Sequence, residues 1–158
     1  MQQQDYRKAL QAEIFEYIKK ATEELNIKSY VIGGFVRDFI LQRGTAKDID
    51  IVAVGSGIAL AEKVASILPT KPKVQVFKTY GTAMLRYKDI EVEFVGARKE
   101  SYTEDSRNPE IKAGTLEDDQ NRRDFTINAL ALSLNEATFG NLLDPFDGIS
   151  DLQNKIIR

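Results

Sequence analysis

The stretch TAKDIDIVAV, Thr45 to Val54, decides how this chain is read. It alternates acid with apolar and then turns wholly apolar, the pattern of a strand that begins at water and runs into a core. Side chains on a strand alternate faces, so Asp48 and Asp50 share one face while Ile49 and Ile51 take the other. At ~3.3 Å per residue their Cα atoms stand about 6.5–7 Å apart. Two carboxylates so placed repel and raise one another's pKa. They can also converge on one cation, or on two cations about 3.5–4 Å apart. A hard ion such as Mg²⁺ suits oxygen ligands and brings substrate phosphates into its coordination. The plainer alternative is a pair of solvated charges on an exposed sheet face, one of them capping a turn.

A second stretch repeats the geometry. In DIEVEFVGA, 89–97, Glu91 and Glu93 share a face and Ile90, Val92 and Phe94 take the other. If this strand neighbours the first, one glutamate completes a set of three carboxylates. The alternative is an edge strand protected by charge. In VIGGFVRD, 31–38, Gly33 and Gly34 fall between a strand and a helix, where backbone N–H groups can approach an anion. Arg37 follows one turn later and can fork onto a phosphate; it can equally pair with a nearby acid. In DDQNRRDFTINALA, 118–131, Arg122, Arg123, Asp124 and Asn128 gather at a helix start, with Asp124 and Asn128 on one face. They could hold a triphosphate and a ribose hydroxyl, or form an ordinary salt-bridged helix start.

What the chain lacks narrows its chemistry. Among 158 residues there is no histidine and no cysteine. That excludes a Ser-His-Asp triad, a Cys-His pair, a zinc site of His or Cys ligands, a histidine general base and disulfides. Neither a P-loop nor a dinucleotide fingerprint is present. Hydrophobic residues make up 42%, enough for one core, and the net charge of -2 does not mark a strongly basic nucleic-acid binder. No apolar run approaches the ~20 residues of a membrane span, and the N-terminus has no signal-peptide core, so a cytoplasmic, non-membrane protein is expected.

Periodicity predicts a helix over Asp5 to Leu25, a strand at YVIGG, and a helix at FVRDFILQR stopped by Gly44. The DIDIVAV strand and a helix ended by Pro69 follow, then three strands, KVQVFKT, GTAMLRY and DIEVEFVGA. Glu100 to Glu117 reads as a long polar loop, of a kind that is often functional or mobile. RRDFTINALAL reads as a helix, and LLDPFDGISDLQNKIIR as a short strand or turn leading into another. The order argues for an α/β (α+β) domain with a mixed sheet.

GGFVRD, KDIDIVAVG and RRDFTINALA, in that order, resemble the catalytic head of the class II CCA-adding tRNA nucleotidyltransferases and the related bacterial poly(A) polymerases. These belong to the polymerase-beta-type nucleotidyltransferase superfamily. The likeness runs from about Tyr30 to Arg158. It implies a five-stranded mixed sheet flanked by helices, and a metal-dependent enzyme adding CMP and AMP from CTP and ATP to the 3′ end of tRNA. It implies Asp48 and Asp50 as ligands of two Mg²⁺ ions, with Glu93 as the third acid and Glu91 its alternative, and Arg98 following. It implies Gly33, Gly34, Arg37 and Asp38 as the nucleotide-phosphate turn, and Arg122, Arg123, Asp124 and Asn128 as the ribose and triphosphate motif. Poly(A) synthesis, or a non-catalytic nucleotide- or RNA-binding module, are the alternatives. The whole of 1–158 is expected to be a head domain, with the catalytic core ending near residue 147 and the start of a neck after it. The family's base-selecting motif lies in that neck and has no counterpart here, so this piece alone is expected to be inactive.

Overall fold

A computed structural model describes residues 6–43, 47–101, 110–113, 115–121 and 129–154. After a 3₁₀ turn at Tyr6–Leu10 come α1 (Glu13–Leu25), β1 (Lys28–Ile32), α2 (Gly34–Ile40), β2 (Asp48–Val54), α3 (Gly57–Ile67) and β3 (Gln75–Phe77). A second 3₁₀ turn, Lys78–Tyr80, leads to β4 (Thr82–Tyr87) and β5 (Ile90–Gly96). Then follow β6 (Arg98–Ser101), β7 (Glu110–Ala113), α4 (Leu116–Asn121), β8 (Ala131–Ser133), β9 (Leu142–Leu143) and α5 (Gly148–Gln153).

The main sheet has seven strands in the order β3-β4-β5-β2-β1-β8-β9, and β6 with β7 forms a separate hairpin. The expected mixed α/β architecture is present, with seven strands rather than five. Only β2 and β5 run parallel; the other pairs of the main sheet are antiparallel. A parallel pair needs a crossover, and here α3, β3 and β4 supply it.

One face of this sheet carries the main core. Ile49, Ile51, Val92, Phe94, Ala83 and Leu85 point into it, and α1 and α3 cover it with Ile14, Phe15, Ile18, Leu60 and Val64. Burying such a side chain fully stabilises by about 1.5–3 kcal/mol. α1 forms where Glu13 and Glu16 favour the positive helix start, and it ends at Asn26 in the left-handed conformation, φ 54°. α3 lies close to the sheet because Gly57 has no side chain. A Cβ there would come within 2.7–2.9 Å of the backbone of Val95 and Gly96. The far side of the sheet is tied by Asn135. Its Oδ1 accepts from the Ser29 N–H at 3.0 Å, and its Nδ2 donates to the Ile27 carbonyl at 2.8 Å.

Four local expectations need correction. The N-terminal helix is broken at residues 11–12, where Ala12 is extended, so only Glu13–Leu25 is α-helical. α2 ends at Ile40 with Leu41 as its cap, before Gly44, and Gln42 takes a positive φ of 55°. The segment read as a polar loop contains a hairpin, Arg98 paired with Ala113 through Ser101 with Glu110, and then α4. The helix expected through RRDFTINALAL does not reach its end: Ala131–Ser133 is a strand, buried throughout.

Candidate active site

β2 and β5 lie side by side, so the condition for a shared acidic site is met. Their register pairs Asp48 with Glu91 and Asp50 with Glu93. Paired residues on neighbouring strands stand on one face, so all four carboxylates point away from the main core. Asp48, Asp50 and Glu93 are exposed and Glu91 is half-buried. The apolar neighbours of that face, Val52 and Val95, form a small second core with Ile32, Ala97, Leu116 and Ala131. The acids therefore open onto water while the same strands, two residues on, run under cover.

The remaining motifs reach the same end of the sheet. Ile32, the last residue of β1, pairs with Asp50 on one side and Ala131 on the other. Gly33 and Gly34 thus follow immediately beside the aspartates. Gly33 has φ 83° and ψ -137°, a conformation that favours glycine, and its N–H donates to the Leu130 carbonyl at 3.2 Å. The Arg37 guanidinium folds back over this turn, since a Cβ on Gly34 would lie 3.3 Å from it. Arg37 Nε also donates to Asp38 Oδ1 at 3.1 Å, the ion pair named above as the plainer reading. A pair in place orients the guanidinium and does not prevent its other edge from meeting an anion.

Glu91 and Glu93 differ in surroundings. Glu91 faces Arg86 of β4 at 3.9 Å, whereas Glu93 is flanked by Met84. Among the described residues, no three acidic side chains are drawn together into a metal-sized cluster. Arg122, Arg123, Asp124 and Asn128 lie outside the described residues. Arg98 opens β6, five positions beyond Glu93 and past the end of β5, and its side chain is likewise outside them.

Sequence reasoning missed two residues of this neighbourhood. Gln120 of α4 is 1% exposed, and its side-chain amide Nε2 donates to the carbonyls of Ala129 at 2.7 Å and Leu143 at 3.4 Å. It clamps α4 onto the segment that enters β8, and a lone glutamine in a polar stretch gives no sequence signal of that. Tyr30 lies on the same face, and desolvation raises its phenol above the ordinary value.

Comparison with known proteins gives a consistent result. Residues 29–158 match the family model described as the poly A polymerase head domain. An A-adding tRNA nucleotidyltransferase of Aquifex aeolicus is 39% identical over 132 residues, 84% of this chain and 16% of that protein. A CCA-adding enzyme of Anoxybacillus flavithermus is 36% identical over 157 residues, 98% of this chain and 35% of that protein. Among solved structures, a tRNA nucleotidyltransferase complexed with a primer tRNA and an incoming ATP analog superposes with a TM-score of 0.77 at 36% identity. It is matched over 89% of this chain and 38% of its own. An apo CCA-adding enzyme gives a TM-score of 0.83 at 36% identity, over 100% of this chain and 39% of its own. This chain thus spans well under half the length of these relatives. The family model covers most of the chain, and sequence and backbone fold agree with these relatives over nearly its whole length: the chain belongs to the poly(A) polymerase head-domain family.

Proposed function

We propose that this chain is the catalytic head of a tRNA nucleotidyltransferase, which adds CMP and AMP from CTP and ATP to the 3′ end of tRNA. The observation that carries the reading is the register of β2 with β5. It sets Asp50 beside Glu93, with Asp48 two residues away, on the open face of the sheet. Three carboxylates on one exposed face are a hard-oxygen donor set, which fits Mg²⁺. Asp48, Asp50 and Glu93 would hold the ions. Bound there, magnesium would activate the RNA 3′ hydroxyl and neutralise charge on the triphosphate. The chain's own part is placement. The turn at Gly33 and Gly34 offers backbone N–H groups to phosphate, Arg37 and Asp38 orient beside it, and Arg122, Arg123, Asp124 and Asn128 take ribose and triphosphate. Arg98 would serve the same nucleotide.

In support, relatives at this similarity are named for A-, CC- or CCA-addition to tRNA. One solved relative is described with CTP and another with ATP. Three of the relatives are A-adding enzymes at 36–39% identity, which favours a second reading in which ATP alone is the nucleotide used.

Calorimetry tests the proposal. Among the described residues of the site we identify none that reads a base edge, and discrimination needs polar groups that a wrong base leaves unpaired. The chain should bind Mg²⁺ complexes of CTP, ATP and GTP weakly and nearly equally, and Asp50→Ala should abolish all three. Failure to bind any of them overturns the reading. A preference of tenfold or more, about 1.4 kcal/mol, would reveal a base-selecting site within the head.

A further inference from the structure

The net charge of -2 conceals a strong local asymmetry. Between Glu62 and Asp89 there is no acidic residue at all, while Lys63, Lys71, Lys73, Lys78, Arg86 and Lys88 all fall in that span. The span builds the last turn of α3 and then β3 and β4, and β3 and β4 form the edge of the sheet next to β5. Two of its cations are used at the rim: Lys63 pairs with Glu24 at 3.0 Å and Lys88 with Glu13 at 3.1 Å. Lys73 and Lys78 are exposed and have no ion pair among the described residues, and Arg86 has only the long contact to Glu91.

The register carries this positive edge onto the acidic face. Gln75 pairs with Met84, Met84 with Glu93, and Glu93 with Asp50. Phe77, two residues after Gln75, therefore points to the same side as the carboxylates. Lys73, Gln75, Met84, Arg86 and Glu91 line a hollow of about 200 Å³ that abuts the Asp48–Glu91 pair. Four large apolar side chains stand out among the described residues; Phe77, at 46% exposure, is on this face and Tyr80, at 60%, follows in the turn after it, while Val76 points to the other face. Free cations interleaved with exposed aromatic rings are what a single nucleic-acid strand requires, phosphates on the former and bases on the latter.

We propose that the β3–β4 edge of the acidic face seats the single-stranded 3′ end of the RNA. Lys73 and Arg86 hold phosphates, and Phe77, with Tyr80 beyond it, gives a base a stacking surface. The occupant is RNA rather than protein on grounds of charge, and because the edge runs without interruption into the carboxylates where that 3′ end would react. β3 lies two strands from β5, about 10 Å, so the seat serves nucleotides just behind the terminal one. The inference rests on the nucleotidyltransferase reading, which Mg²⁺–nucleotide binding by the unaltered chain decides separately.

The test is fluorescence anisotropy with a labelled RNA minihelix carrying a short single-stranded 3′ end, across a salt series starting at low salt. Lys73→Glu with Arg86→Glu should reduce the magnitude of the salt slope by roughly 1.4, two contacts at ~0.7 each. Phe77→Ala should weaken binding roughly five- to a hundredfold. Lys20→Glu with Lys28→Glu, exposed cations away from this edge, makes the same change in net charge and should leave the slope alone. Equal losses in the two double variants, or no binding by the unaltered chain, overturn the proposal. So does a Phe77→Ala variant that binds RNA normally but changes the protein's oligomeric mass or melting temperature, which would mean that protein covers this edge.

Discussion

The two faces of the central sheet are made by the same strands and lead opposite lives. On one, Ile49, Ile51, Val92 and Phe94 are sealed under α1 and α3. On the other, Asp48, Asp50 and Glu93 stand in water one residue away. Burial of apolar area stabilises the first face, whereas on the second like charges at close quarters repel. The pleat of a strand thus keeps folding and chemistry on adjacent residues yet lets them answer to different pressures.

The sharpest probe is on the open face. Asp48→Ala or Asp50→Ala should lower transfer by the enzyme that carries this head at least a thousandfold, about 4 kcal/mol of barrier. The melting temperature of the metal-free protein should stay level or rise, because a like charge has been removed. A large fall in melting temperature would mean that the open face is structural after all. On the covered face, Phe94→Ala, next in sequence to Glu93, should destabilise by about 3–5 kcal/mol in a denaturant titration. A cost under ~1 kcal/mol would show that the two faces are not separated as described.

Gly57→Ala should cost about 1–3 kcal/mol, since its new methyl meets backbone of β5 that cannot rotate away. The same titration reads it, and an unchanged midpoint would place α3 further from the sheet. The smallest effect concerns the rim. The hydrogen bond from Lys88, helped by one from Tyr87, holds the Glu13 carboxyl below its ordinary value of 4.5. A lowered carboxylate contributes stability above that ordinary value and loses it as pH falls through the folded one. The protein should therefore weaken slightly on acidification below about pH 4.5, and less so in Lys88→Ala, as followed by melting temperature against pH.

Much of this contrast was legible in the residues. DIDIVAV and DIEVEFVGA state their two faces outright, because a half-buried strand must alternate. Sequence alone could not say that these strands are neighbours; the parallel pairing across α3, β3 and β4 settles that as tertiary structure. The strand Ala131–Ser133 was hidden for a physical reason. It is buried on both sides, so it shows no alternation, and alanine and leucine favour helix until packing overrides them. β6 and β7 are four residues each and largely polar, too short for a period to show. Of the site, the aspartates and the glycine turn followed from pattern. The choice of Glu93 as Asp50's neighbour needed the register. Arg122, Arg123, Asp124 and Asn128 remain an expectation from resemblance alone.

The Asn135 clamp bears on how the molecule is made. It joins Ser29 to a side chain 106 residues later, and β1 takes β8 as its outer neighbour at the same place. During synthesis the first five strands emerge long before that partner. Through this interval β1 is an edge strand with unpaired N–H and C=O groups on one side, the kind of template on which chains pair wrongly. Contacts so distant in sequence also pay their loop-closure entropy before any reward, which slows closure. Completion of the sheet at β8 is thus a late event, and the glycine turn, whose Gly33 N–H donates to the Leu130 carbonyl, reaches its finished shape with it.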